Sequence, residues 1–352
     1  MTVRSMTLRS IVVSAILGWG MVAPAVGVEL VPISRAIEVA QIPDWSRQED
    51  PSDRLEAESF LRLGEEKQRL GEFDAAIEAW LQAVARYRRL RDFRGIGAAY
   101  RNLGALYEDL GRWDKALDAR QKQLDAALSA GDDRTQLDGL NDVGGVLLRQ
   151  GKFDRAVPLF ERALNLANAI DSSVGRAVSL NNLGLAAMGL ENYAEAVKRL
   201  EEAMRWQYRV ADPLEEATTL NNLGAAYWAI EDYDNTIGAY GEALRVAQLS
   251  LDRPNHFRAI DGLVEAHRRV GRYFRAEELL EERLELARIL EDERQEMITL
   301  ASFARLYETA GLTDEAVRFY GGAIALARSI DDLEEEVRLT NKLREILENG
   351  IK

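Results

Sequence analysis

SLNNLGLAAMGLENYAEA, residues 179–196, is followed at 219–236 by TLNNLGAAYWAIEDYDNT, so the two stretches agree at a spacing of 40 residues. Working outward, the pair Leu183-Gly184 recurs as Leu63-Gly64, Leu103-Gly104, Val143-Gly144 and Leu223-Gly224, then loosens to Leu263-Val264 and Phe303-Ala304. A second column reads Gly71, Gly111, Gly151, Glu191, Glu231, Gly271 and Gly311. Two places on stand Phe73, Trp113, Phe153, Tyr193, Tyr233, Tyr273 and Thr313. A third column reads Ala76, Ala116, Ala156, Ala196, Thr236, Ala276 and Ala316. Seven in-phase units with no insertion between them mark a repeat array.

Each column has a mechanical reading in a helical hairpin. Tyr100, Leu103, Gly104 and Tyr107 have the i, i+3, i+4, i+7 spacing of one helix face, and the small residue lets another helix approach closely. The glycine column marks a helix end, where a left-handed residue costs glycine least. The aromatic that follows is expected in the elbow between the two helices, and the alanine column at a second close approach. None of these glycines sits in a G-x-x-x-x-G-K-[ST] string. At the joins, Ser52, Asp92, Asp132, Ser172, Asp212, Asp252, Asp292 and Asp332 form one column of N-cap residues. Pro213 follows Asp212 at a first helical position, and Glu215, Gln295 and Glu335 stand three residues after their caps. Asp74, Asp114, Asp154, Asp234 and Asp314 open the second helices and complement the helix dipole.

These columns resemble the tetratricopeptide repeat (TPR) over roughly residues 53 to 349, as in Tyr100, Leu103, Gly104, Tyr107, Gly111, Trp113 and Ala116. The period of 40 exceeds the usual 34 and is similar to the longer-repeat branch that includes kinesin light chains. The resemblance implies an all-α fold, a right-handed solenoid of seven 40-residue hairpins spanning 53–330. Residues 331–352 then form a capping helix and tail, with Leu339, Leu343, Ile346 and Leu347 on one face.

Composition bounds the function. The 352 residues are 47% hydrophobic and carry a formal net charge of −14, a balance that argues against nucleic acid and anionic membrane as main partners. There is no cysteine, which excludes disulfides, thiolate catalysis and Cys-ligated metal, and the two histidines, His256 and His267, lack metal-motif spacing. His267 falls in the tyrosine column and reads as core. Residues 1–25 have a basic start, an apolar stretch from Ile11 and an A-x-A arrangement at Ala23 and Ala25. That is the layout of a secretory signal peptide, with an uncleaved anchor as the plainer alternative. Cleavage would leave no stable membrane insertion and a periplasmic or otherwise exported chain. Residues 26–52, with Pro32, Pro43 and Pro51, read as a linker or N-terminal arm.

Beside the core columns lies a second face at 101, 105, 108 and their equivalents, which in TPR proteins lines the concave, peptide-binding groove. The middle repeats place Asn141, Asn181 and Asn221 there with Leu148, Met188 and Trp228, and Asn182 and Asn222 stand next to it. A carboxamide donates and accepts at once, which suits the backbone of an extended segment. The alternatives are asparagines that bond neighbouring helices and an apolar stripe that is simply core. Arg258, Arg268, Arg269 and Arg305 are candidates for a carboxylate-binding end, or are solvated charge.

No nucleophile, base and orienter recur at catalytic spacing, so an enzyme is not expected. The leading reading is an exported protein–protein interaction scaffold that binds an extended client, an assembly factor. The layout also resembles exported cyanobacterial TPR proteins, which implies photosystem II biogenesis, with precursor D1 as client and manganese as cargo. Manganese would take hard oxygen ligands. The acids available are Glu231, Asp232 and Asp234, or Asp331 to Glu336, and caps or solvated faces explain both. A metal-ion carrier, or a cell-envelope or secretion scaffold with another client, remain as rivals.

Overall fold

The computed structural model describes residues 51–350, and the expected signal peptide and most of the expected N-terminal arm lie outside them. Among the described residues there are fifteen helices and no strand, an all-α repeat solenoid. The chain divides into two compact units, with the boundary in the sequence between Ile170 and Asp171.

The first unit holds three hairpins: α1 (Pro51–Arg69) with α2 (Phe73–Arg89), α3 (Phe93–Asp109) with α4 (Trp113–Ala130), and α5 (Asp133–Arg149) with α6 (Phe153–Ala169). The second holds α7 (Ser173–Gly189) with α8 (Tyr193–Val210), α9 (Pro213–Ala229) with α10 (Tyr233–Ser250), α11 (Arg253–Arg269) with α12 (Tyr273–Ile289), and α13 (Glu293–Thr309) with α14 (Thr313–Ser329). It closes with α15 (Leu333–Gly350), which buries Leu339 and Ile346 against α14 while Leu347 stays exposed.

The columns do the packing work expected of small residues. Every member of the alanine column, from Ala76 to Ala316 and including Thr236, is fully buried. Glycine in the Leu-Gly pair makes room for the bulky residue sixteen places on. A Cβ at Gly64 would stand 2.3 Å from the Trp80 indole, and one at Gly184 would stand 2.5 Å from Leu200. Trp80 is itself wholly buried, and its Nε1–H donates to the Leu61 carbonyl at 3.2 Å. The aromatic column departs from expectation. Phe73 and Tyr273 open their helices and stay 40% and 37% exposed, because the residue after a helix stop lies at the rim of the hairpin rather than inside its elbow.

Chain reversal follows one rule. A residue of left-handed backbone recurs every twenty positions from Gly71 to Asp331. Six of these are glycine; the others are Arg91, Asp171, Glu191, Ala211, Glu231, Leu251, Glu291 and Asp331, with φ between 52° and 61°. Each of these eight is followed at once by a residue whose side chain caps the next helix: Asp92, Ser172, Asn192, Asp212, Asp232, Asp252, Asp292 and Asp332. After Gly71, Gly111, Gly151, Gly271 and Gly311 no side-chain cap forms. The magnitudes explain the pairing. A left-handed non-glycine residue costs roughly 1–2 kcal/mol, and an N-cap hydrogen bond contributes about 1 kcal/mol, so one offsets the other. Ser52, expected in the cap column, lies inside α1 instead.

Leu251 is 84% exposed at φ 57°, so Leu251→Gly relieves strain without removing a core contact. Asp252→Ala is expected to lower unfolding free energy by about 1 kcal/mol, and adding Leu251→Gly to recover a large part of it. Denaturant titration of the single and double variants reads both effects.

Candidate functional site

The face that the TPR resemblance assigns to a groove is best developed in the second unit, where α9 lies close to both α7 and α11. Polar side chains tie these three helices together. Asn222 Nδ2 donates to Asn181 Oδ1 at 2.9 Å, and Asn222 Oδ1 accepts from Arg258 Nη2 at 2.7 Å. Beside this ladder, Asn221 Nδ2 donates to the Asn255 carbonyl and to Asn255 Oδ1 at 3.2 and 3.1 Å, and Asn255 Nδ2 reaches Thr218 Oγ1 and the Asp252 cap.

These bonds sort the expected site residues. Asn221 and Asn222 are buried, at 0% and 1% exposure, and Asn182 is also buried. The expectation of groove contacts from Asn221 and Asn222 is corrected: their amides hold helices together, because a close helix approach turns them toward the neighbour rather than toward solvent. Asn182, buried in the same stretch of α7, is likewise unavailable to a groove ligand. Asn181 remains half-exposed. In the first unit Asn141 is buried and donates to the Leu137 carbonyl of its own helix at 3.2 Å. Leu148, expected in an exposed stripe, is buried at 4% exposure, since α5 is enclosed continuously from Val143 to Leu148. Both are therefore core positions.

What stays accessible in the second unit is a half-buried apolar strip of Leu185, Met188, Ala225 and Trp228. Met188 and Ala225 rest on the core, and the Trp228 ring stands edge-on to Tyr233 at 5.3 Å, which fixes its orientation. Arg268 is engaged: Nε donates to Glu265 at 3.0 Å and Nη1 to Thr309 Oγ1 at 3.1 Å. Arg269 donates to the Tyr233 hydroxyl at 3.1 Å. Arg305 is exposed and meets Ser302 Oγ at 3.3 Å. The carboxylate-binding expectation thus fails for Arg268, whose charge Glu265 already meets.

The buried guanidiniums show in the repeat columns only as exceptions. Arg120, 3% exposed, occupies the bulky column that elsewhere holds Trp80, Phe160, Leu200 and Tyr240. It donates to Glu108 at 2.7 Å, Asp142 at 3.1 Å and buried Gln123 at 3.0 Å. Burial pushes the Glu108 carboxyl up, against the pull of Arg120. In the second unit Arg283, 1% exposed, forks onto Asp261 at 2.8 and 3.2 Å, and also bonds Gln295 and Thr299. The signal was a charged residue inside an otherwise apolar or alanine column, with an acid nearby on the next first helix or the preceding one.

Among the described residues, no three His, Asp or Glu gather as a metal site, and no helix is long and apolar enough to cross a membrane. Asp232 accepts from Asn235 N and Nδ2, and Asp332 caps α15 and pairs with Arg294, so both acidic stretches contribute their central carboxylates to structure. His267 is buried as expected, and burial, then the Arg272 and Arg275 charges, push it below the ordinary histidine value. Its proton is therefore taken up mainly by the unfolded chain below about pH 6.5, and stability falls with pH there. Replacing it with the column residue, His267→Tyr, is expected to widen its melting-temperature advantage as pH drops from about 8 to about 5; a gap independent of pH would contradict this.

A family model described as tetratricopeptide repeat matches residues 53–129, 95–169, 135–209, 175–249 and 215–288. No curated protein matches by sequence. Solved structures share the fold. The apo form of RapI superposes with a TM-score of 0.59 at 16% identity, over 79% of this chain and 99% of that one. A Rap protein complexed with Competence and Sporulation Factor gives 0.53 at 13% identity, over 85% and 98%. The nearly identical TPR-like repeats of a putative kinesin light chain from Podosopora anserina give 0.51 at 20% identity, over 56% and 97%.

Proposed function

The chain belongs to the tetratricopeptide repeat family, and on that premise we propose that it is a non-enzymatic scaffold that holds an extended protein segment along the first helices of its second unit. The observation that carries this reading is the strip of Leu185, Met188, Ala225 and Trp228, apolar and half-exposed on helices whose other faces are closed by the asparagine bonds. A half-exposed apolar strip gains by covering, and an oriented tryptophan supplies contact area at small entropic cost. The half-exposed Asn181 offers an amide edge to a client backbone.

The basic and apolar start supports export, and an interaction scaffold suits an assembly role. The likeness to the exported cyanobacterial protein PratA supports a specific version, with precursor D1 as client, manganese as cargo and photosystem II as the product. Among the described residues no three acids gather as a metal site, and Asp232 and Asp332 are engaged as caps. Client binding is therefore favoured over metal carriage.

Two measurements test this. Recovery of a specific client from an exported fraction is expected to fall at least about tenfold for a Met188→Ala, Trp228→Ala variant of unchanged melting temperature, as loss of a central aromatic anchor predicts. Unchanged recovery would remove the groove reading. In equilibrium dialysis against Mn(II), the chain is expected to take up no stoichiometric metal; one tightly held ion, lost on Asp232→Ala, would instead favour the carrier.

A further inference from the structure

The turns from first to second helix repeat one design, and the turn between α11 and α12 departs from it. Where Asp74, Asp114, Asp154, Asp234 and Asp314 open their second helices, α12 has Phe274. Acids in a first turn complement the helix dipole, and α12 has none there. Arg272 precedes the helix instead, and Arg275 lies within its first turn. Phe274 is 74% exposed, with Val270 and Tyr273 exposed beside it. A phenylalanine here gives up the favourable charge and buries little of its ring in exchange, so the packing of the second unit does not account for it.

The neighbouring turns have the opposite charge. Arg269 Nε donates to the Tyr233 hydroxyl at 3.1 Å and Arg268 Nη1 to Thr309 Oγ1 at 3.1 Å, so the α9–α10 and α13–α14 turns flank this one along a single edge. Glu231 and Asp234 stand exposed on one side and Asp314 on the other, with Ile230 and Leu312 as exposed apolar residues of those turns. Arg272, Glu231 and Asp234 form no ion pair among the described residues, whereas Arg275 pairs with Glu278 at 2.7 Å. Acid, base and acid thus alternate along the edge, with an exposed apolar residue at each step.

We propose that this edge binds a second copy of the chain about a twofold axis between the α9–α10 and α11–α12 turns. In a twofold contact each copy receives what it presents, so a surface that carries both charges is complementary to itself. Arg272 of each copy meets Glu231 and Asp234 of the other, and Phe274 covers the other copy's Ile230 and Tyr233. Aromatic residues and arginine are the side chains enriched at such contacts. The net charge of −14 makes two copies repel over most of their surface, which confines their approach to the basic turn. An anionic lipid surface also suits arginine beside aromatic residues, but it would bring Asp234 and Asp314 toward the same headgroups and is disfavoured for that reason.

Sedimentation velocity of the full chain over a concentration series tests this. A monomer–dimer equilibrium is expected, weakened at high salt. Phe274→Asp, which installs the residue usual in that column, is expected to weaken the dimer at least about tenfold and to melt no lower than the native chain. Arg272→Glu and Asp234→Arg are each expected to weaken self-association, and an equimolar mixture of the two variants to form a mixed dimer, because each then offers the charge that the other needs. A native chain that stays monomeric at every soluble concentration overturns the proposal. So does a dimer of undiminished affinity in Phe274→Asp, which would place the contact on another face, and so does a mixture of the charge variants that remains monomeric. Co-sedimentation with phosphatidylcholine vesicles, with and without phosphatidylglycerol, tests the lipid alternative. Binding that requires the anionic lipid and is lost in Phe274→Asp would assign the turn to a membrane surface and overturn the second copy.

Discussion

A left-handed residue at every twentieth position is the constraint from which the remainder of the architecture follows. It stops each helix at a fixed length, 17 or 18 residues after α1, and so keeps every column in phase with the next. Because the reversals are evenly spaced, the small residue of one helix meets the bulky residue sixteen places on, as Gly64 meets Trp80 and Gly184 meets Leu200. Interiors are close-packed, so a slip of one residue would put a ring where only a hydrogen fits. Glycine meets the constraint directly, and elsewhere a capping carboxylate, amide or hydroxyl offsets the cost of a left-handed side-chain-bearing residue.

Regular columns also create places where a polar group can be buried at low cost, provided partners arrive with it. Arg120 fills a position designed by geometry for an aromatic, and is tolerated because Glu108, Asp142 and Gln123 surround it. The asparagines follow the same logic between α7, α9 and α11. A carboxamide facing a neighbouring helix at hydrogen-bond distance is stable, whereas the same group facing lipid-like packing would not be. The first-helix face is therefore a mixture: part of it is interhelical cement, and the part left open is Leu185, Met188, Ala225, Trp228 and Asn181.

Identities of 13 to 20% with folds that superpose over most of the compared chains mean that the hairpin is retained while nearly all surface chemistry changes. Fold alone does not select a function. What a bound segment would meet is set by this protein's own side chains, by which of them are satisfied internally and which are not.

The sequence by itself determined the hairpin, its number and its period, because columns such as Ala76 to Ala316 repeat a steric requirement that only small residues meet. It also determined the caps, since a side chain that bonds three residues ahead needs no distant partner; Asp92 and Asp292 are legible for that reason. Tertiary structure alone decided the fate of the asparagines. Asn181 and Asn221 occupy the same column, yet one is half-exposed and the other sealed against Asn255, thirty-four residues away. Leu148 and Trp228 share a column too, and one is core while the other is open. Column position fixes which way a side chain leaves its own helix; how closely the next helix approaches decides whether solvent, a client or a neighbouring amide meets it there.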